Sequence, residues 1–410
     1  MTKQTNQRFL IVLTLIIIFI LIRSVNFAEH LNFSYDQGWG STRVLEIWRN
    51  KEITLVGPGT SLIAESKEIL QGSVIYYFQL VFLLIGRFDP VISSYAFMLF
   101  CSLMIIPLYF GVKNLVNKNA AIMVSVIYAL FPLFIDYTIF FFGPNFQFSL
   151  FPILVYFIGL EKIKKSNLRL FLVFFSAGFL LQFHYGFLLI DLALLIYYLM
   201  KSKNKLSSII ISLLGLSIGF LPMIIFELRN SFYNSKILML YITTPHNNID
   251  FSHPHRYLSI TLLLIILLTY WFRKAIRFRH NVITFFLLLM FSLYIYIPLP
   301  THGFGMYPNW NYPMEKKAYE IIKKQKIKNF NVVNHIYDNL SVVIKYQMKK
   351  DGYVINYNDY YHNKYLYVIS STPDVFKDPA YELNTFKPNK LVETWKLNDY
   401  YNLYLFERLK

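Results

Sequence analysis

Apolar runs of close to a helix-span in length recur from Phe9 to about Pro298, parted by short polar loops. A bilayer core about 30 Å thick takes roughly 20 residues of helix. The pattern predicts nine membrane-spanning helices, at 9–25, 91–112, 119–136, 146–160, 168–184, 186–200, 206–226, 257–272 and 282–298. A tenth run, Gly72–Gly86, is shorter, and its aromatics Tyr76, Tyr77, Phe78 and Phe82 suit a helix lying flat at the outer interface. Two polar stretches stand apart from this series: residues 26–90, a large first outer loop expected to carry juxtamembrane helices, and residues 301–410.

After Pro298-Leu299-Pro300 the character changes to Lys, Asn, Asp and Tyr with short apolar segments, which places a domain boundary there. Met314–Lys326 reads as an amphipathic helix, Asn329–Ile336 as a strand, Leu340–Lys350 as a helix, and Tyr353–Asn356 and Tyr365–Ser370 as strands. Lys390–Trp395 and Leu403–Arg408 close the series. The predicted fold is thus an α-helical polytopic membrane domain over 1–300 followed by a small soluble α/β domain over 301–410.

Composition agrees. The 410 residues are 55% hydrophobic, 19% aromatic and only 15% charged, too apolar for a water-facing surface alone. The net charge of +17 would suit a nucleic-acid binder, but the basic residues sit in the loops between apolar runs. Lys113 and Lys118, Lys162 to Arg169, Lys201 to Lys205, and Arg273 to Arg279 mark those loops as cytoplasmic. Nucleic acid is therefore not an expected partner; the bilayer is. With the amino terminus inside, nine crossings put every basic loop inside and the C-terminal domain outside, whereas counting Gly72–Gly86 as a tenth inverts them. The first run has basic flanks but no small-residue cleavage site, so it is read as an anchor. The single Cys101 excludes an intrachain disulfide and any cysteine metal site.

On this topology the outer face collects the polar chemistry. It comprises residues 26–90, the 137–145 turn, the tip at His184-Tyr185-Gly186, the 227–256 loop and the C-terminal domain. The chief ionisable group deep in the runs is Asp191, which weakens a channel or carrier reading. No Gly-rich phosphate loop, paired-carboxylate motif or metal spacing marks the C-terminal domain. Tyr357, Tyr360 and Tyr361 there suit stacking on a ring-shaped ligand or a structural aromatic surface.

Five local elements, in order, carry a resemblance: Tyr35-Asp36-Gln37-Gly38-Trp39, Leu55-Val56-Gly57-Pro58-Gly59-Thr60-Ser61, Gly72-Ser73-Val74-Ile75-Tyr76-Tyr77, Phe142-Gly143-Pro144-Asn145 and Gln182-Phe183-His184-Tyr185. Together the chain resembles the polytopic GT-C glycosyltransferases of the protein-mannosyltransferase and aminoarabinose-transferase type (glycosyltransferase family 39). The resemblance implies inverting transfer of a sugar from a polyprenyl-phosphate donor to an acceptor on the extracytoplasmic face, with Asp36 in the catalytic position. A carboxylate there accepts the proton of the attacking hydroxyl. The lipid-phosphate leaving group needs cationic or hydrogen-bonding partners, for which Arg229, His253, His255 and Arg256 are candidates. Candidate acceptor or sugar contacts are Tyr35, Trp39, Asp136, Asn145, His184 and Tyr185. Each has a plainer reading: Asp36 as a solvated or capping aspartate, His184 as an interfacial histidine, Asp136 as a helix cap. No cofactor is expected; His253 and His255 with His246 make a weak metal set, since a proline separates the pair and no carboxylates accompany it. Where relatives often carry Trp-Asn-Pro, this chain has Gly143, and Gln71-Gly72-Ser73 precedes its Tyr-Tyr pair. A transporter or flippase of lipid-linked saccharides, and a non-catalytic membrane scaffold, remain as alternatives.

Overall fold

The computed structural model describes residues 3–244, 253–354 and 359–409, with side chains from residue 9 onward. The chain forms two compact units. One holds Met1–Val25, Lys51–Phe82 and Ser94–Ile297; the other holds Asn26–Asn50, Leu83–Ser93 and Pro298–Lys410. Residues 26–50 and 83–93 therefore belong with the C-terminal part of the chain.

The first unit is mostly helical. Among the described residues, helices at 90–115, Gly143–Ile163 and Phe278–Tyr296 are long and apolar enough to cross a membrane. A fourth passes as a pair, Lys205–Gly219 and Leu221–Arg229, bent by 76°. Shorter apolar helices occupy Phe9–Ser24, Val74–Ile85, Lys118–Leu130 and Asn167–Leu181. Proline explains most of the interruptions, because it lacks an amide hydrogen and clashes with the preceding turn. Pro107 follows the break at Met104, Pro132 opens a short helix after Lys118–Leu130, and Pro222 opens the helix after the 76° bend. Lys205–Gly219 packs closely on Asn167–Leu181 through the small pair Gly215 and Gly219. A Cβ on Gly219 would lie 2.3 Å from the Phe175 carbonyl, the close backbone approach that small residues at four-residue spacing allow. Leu264, Leu267, Phe286, Leu287 and Met290 stay exposed, a surface suited to lipid.

Val74–Ile85 is a helix, yet its phenylalanines turn into protein. Phe78 and Phe82 meet Phe97, Phe100, Phe141, Phe146 and Phe183 at centroid distances of 5.1–6.2 Å. The Tyr77 hydroxyl accepts from the Thr54 amide at 2.8 Å. Ahead of this helix, residues 56–72 form a hairpin that their composition did not announce: β1 (Val56–Ala64) antiparallel to β2 (Lys67–Gly72).

The second unit is built on a sheet of β3 (Phe330–Asn334), β4 (Tyr365–Ser370), β5 (Asn389–Lys396) and β6 (Asn402–Arg408), in the order β3-β4-β6-β5. β3 and β4 are parallel, joined through the Val342–Lys350 helix, and the other two pairings are antiparallel. Alternation along the strands buries both faces. Val332, Tyr367, Ile369, Leu403 and Leu405 meet Ala318, Tyr319, Ile322, Ile344 and Met348. Val333, Leu366, Val368, Tyr404 and Phe406 meet Val375, Leu383 and Phe386. Tyr353 and Val354, expected as the start of a strand, lie outside any strand, and residues 355–356 lie outside the described residues.

Candidate functional site

In the first unit, three separate stretches converge beside the hairpin. The Asn167–Leu181 helix ends at Leu181, and His184 opens a tight turn over Tyr185–Phe187. The Gly186 amide donates to His184 Nδ1 at 3.2 Å, which makes Nδ1 the acceptor and assigns the ring proton to Nε2. Gln147 fixes this turn from the Gly143–Ile163 helix, donating to the carbonyls of Leu180 at 3.0 Å and His184 at 2.9 Å. A Cβ on Gly186 would lie 3.9 Å from the Arg256 carbonyl, so the two turns are neighbours.

His253, His255 and Arg256 sit on and just before a single turn, Pro254–Tyr257, that leads into the Leu258–Trp271 helix. The His255 ring stands edge-on to Phe142 at 4.9 Å, 6.3 Å from Tyr137, and stacks on His253 at 5.4 Å. Burial, and then the nearby charges of His253, His184 and Arg256, push the His255 imidazolium down to about 4. At neutral pH it is an uncharged hydrogen-bonding group. Arg256 is then the fixed cation here, and its guanidinium donates to Ser61 Oγ on β1 at 3.3 Å. Tyr185 works toward the same hairpin, its hydroxyl donating to the Leu70 carbonyl at 2.6 Å.

The structure brings together His184, Tyr185, His253, His255 and Arg256, and it adds Ser61, Tyr137, Phe142 and Asn234. The motif Leu55 to Ser61 was the sequence signal for Ser61; Tyr137 and Asn234 were marked only by lying in the 137–145 turn and the 227–256 loop. Other candidates fall elsewhere. Arg229 is exposed at the end of the Leu221–Arg229 helix. Asp136 takes the Tyr296 hydroxyl at 2.6 Å, and that hydroxyl also lies 3.1 Å from the Pro132 carbonyl. Asn145 is fully buried and closes its own turn by donating to the Phe140 carbonyl at 3.1 Å. Gly143 has a packing reason: a Cβ there would come within 2.8 Å of the Phe183 carbonyl. His246 lies outside the described residues, and among those described no group of three His, Cys, Asp or Glu side chains is placed to hold a metal ion.

Asp36 belongs to the second unit, in the first turn of the Tyr35–Asn50 helix. The Ser34 amide and hydroxyl both donate to Gln37 Oε1, at 3.2 and 3.0 Å, which fixes the chain entering that helix. Tyr35 and Trp39 pack edge to face at 6.2 Å. The Asp36 side chain is solvent-accessible, yet flanking protein desolvates its carboxyl and holds its pKa above the usual aspartate value. The helix N-terminus acts in the other direction and favours the anion.

Residues 71–226 match the family model described as dolichyl-phosphate-mannose-protein mannosyltransferase. The matched stretch spans Gly72–Tyr77, Phe142–Asn145 and Gln182–Tyr185, three of the five elements that carried the resemblance, and supports it there. No curated protein matches the chain. Among solved structures, the oligosaccharyltransferase of Archaeoglobus fulgidus, determined with zinc and sulfate, is similar at 11% identity and a TM-score of 0.43, over 78% of this chain. This chain spans 43% of the length of that protein, and a likeness this loose carries no functional weight.

Proposed function

We propose, from a chain whose residues 71–226 are of the GT-C glycosyltransferase type, that this integral membrane protein transfers a sugar from a polyprenyl-phosphate donor to an acceptor hydroxyl with inversion. The family match over residues 71–226 carries this reading. On it, the protein has nine spans, an inner amino terminus, and both the hairpin and the C-terminal unit on the extracytoplasmic side.

Asp36 is the proposed general base. An accessible carboxylate whose pKa is raised by desolvation is a stronger proton acceptor than a free aspartate. The Arg256 turn is the proposed phosphate holder. Its guanidinium supplies the charge for the departing lipid phosphate, and the neutral imidazole of His255 and the ring of His253 supply further polar contacts. Ser61 orients Arg256, and Gln147 fixes the turn that carries His184.

Proteoliposomes containing the full chain are supplied with a panel of radiolabelled polyprenyl-phosphate sugars and a membrane extract as acceptor, with wild type compared with Asp36→Asn at matched expression. Transfer from at least one donor, lost in Asp36→Asn, is the expected result. Equal transfer by the two proteins removes Asp36 from the chemistry. No transfer from any donor favours a carrier or scaffold.

A further inference from the structure

Asp36 lies on a helix whose packing is with the C-terminal part of the chain. The Tyr35–Asn50 helix lies against the Val342–Lys350 helix, and the two are locked at both ends. At the Asp36 end, Gly38 lets the backbones approach: a Cβ there would meet Val342 Cγ1 at 2.9 Å and the Val343 amide nitrogen at 3.4 Å. Just ahead of the helix, fully buried Phe33 packs its ring 5.5 Å from Tyr312 and 5.7 Å from Tyr346. At the far end, the Arg49 guanidinium donates to the Lys349 and Lys350 carbonyls at 2.7 and 2.8 Å. A cation on the unpaired carbonyls of a helix C-terminus is a favourable cap. Glu46 and Lys349 form an ion pair between the same two helices.

The supporting helix is itself immobilised. Asp338 takes the amides of Leu340 at 3.2 Å and Val342 at 2.7 Å, capping its start, and every residue from Val342 to Met348 is buried. Ile344 and Met348 belong to the core against β3, β4 and β6. A continuous set of packed contacts thus runs from the sheet, through Val342–Lys350, to the turn of helix carrying Asp36.

We infer that the C-terminal unit is the mount that aims Asp36, and that Gly38, Glu46, Arg49 and Lys349 are positioning residues for the transfer step. This rests on the proposed role of Asp36 as general base. A base must lie within hydrogen-bond reach of the proton it takes, and displacement of a reacting group by about 1 Å costs on the order of a hundredfold in rate. Loosening the mount acts on turnover and leaves donor affinity alone.

The test uses the full chain in proteoliposomes with the polyprenyl-phosphate sugar that wild type accepts. Gly38→Ala, Arg49→Gln, Glu46→Lys, Lys349→Glu and the reversed pair Glu46→Lys with Lys349→Glu are compared at matched amounts of monodisperse protein. The expected result is a fall in kcat of tenfold or more for the single variants with KM for the donor within twofold of wild type, and recovery of most of the kcat in the reversed pair. A merely structural role lowers the amount of monodisperse protein and leaves kcat per folded molecule unchanged; that outcome overturns the inference. So does a parallel rise in donor KM, or no recovery in the reversed pair. Asp36→Asn is run alongside. If it retains activity, the reading of Asp36 itself fails; if it is inactive while the mount variants turn over normally, only the positioning role fails.

Discussion

Asn234 holds Leu70 by both of its backbone groups: its side chain accepts from the Leu70 amide at 2.9 Å and donates to the Leu70 carbonyl at 2.8 Å. This pair clamps β2 to the Tyr233–Thr243 helix, and Tyr185 adds a third bond to the same carbonyl. Glu227 in turn fixes the helix start, taking the amides of Asn234 and Ser235, each at 2.9 Å. Asn234→Ala is expected to cost about 1–3 kcal/mol, from two lost bonds in a partly buried setting. Asn234→Asp keeps the acceptor but sets a carboxylate oxygen against the Leu70 carbonyl, so it costs at least as much as Ala. Thermal melting of the purified protein in detergent checks the ranking.

The raised pKa of Asp36 sets a pH dependence. In its proposed role as base Asp36 works only when ionised, so kcat/KM is expected to fall as pH drops through its pKa, above the ordinary aspartate value of 3.8. Asp36→Asn lowers kcat by about 10²–10⁴-fold, the usual contribution of a general base. A pH–rate profile of wild type with an acid limb at the free-aspartate value contradicts the assignment.

Arg256→Gln removes the cation proposed to hold the lipid phosphate. A hydrogen bond to a charged group contributes about 1.5–3 kcal/mol, so the affinity for polyprenyl phosphate is expected to fall by about 10–100-fold. Arg229→Gln, exposed at the end of its helix, changes that affinity by less than threefold. Fluorescence or radioligand binding of polyprenyl phosphate to the two variants in nanodiscs decides between the arginines; equal losses return Arg229 to the site.

Two buried groups of the C-terminal unit give stability a minimum near neutrality. Glu315 is surrounded by neutral donors, Trp310 Nε1 at 2.8 Å, Asn334 Nδ2 at 2.9 Å and the Tyr337 hydroxyl at 2.7 Å, all on one oxygen. Burial outweighs these bonds and lifts its pKa from 4.5 to about 7. Between those values the folded state holds a proton that the unfolded chain releases, so stability falls as pH rises. Lys345 donates to the Tyr360 hydroxyl at 2.8 Å, and burial lowers its pKa from 10.5 to about 7. Above 7 the unfolded chain holds the extra proton, so stability rises with pH. Each group contributes up to about 1.4 kcal/mol per pH unit in its window. Melting temperatures from pH 5 to 10 are expected to dip near 7, with Glu315→Gln flattening the acid side and Lys345→Met the alkaline side.

The apolar runs made the helices legible, and several elements fell within a few residues of expectation: Met314–Lys326 became Tyr312–Gln325, and Leu403–Arg408 became Asn402–Arg408. Two things were hidden. The β1–β2 hairpin turns on Glu65 and Ser66, both at positive φ (48° and 59°). That geometry is commonly announced by Asn-Gly, and here it is imposed by the pairing of the strands. The other was the company kept by Tyr35–Asn50: residues 26–90 were expected to carry juxtamembrane helices, and the partner of this one, Val342–Lys350, lies about 300 residues away in the chain. Of the site, His184, His255 and Arg256 were visible as polar residues at the ends of apolar runs and Ser61 lay in the Leu55–Ser61 motif, whereas the bonds of Asn234 to the Leu70 backbone depend on a pairing 164 residues apart that no local pattern encodes.

The separation of Arg49 from Lys349 also has a consequence in time. A ribosome adding roughly 5–20 residues per second needs about 15–60 s to deliver the 300 residues between donor and acceptor. For that interval the Tyr35–Asn50 helix has been synthesised and its seat has not. Its Val44, Leu45 and Ile47, buried in the finished protein, lack their partner helix for that interval, so this helix is open to capture or cleavage while the chain is made.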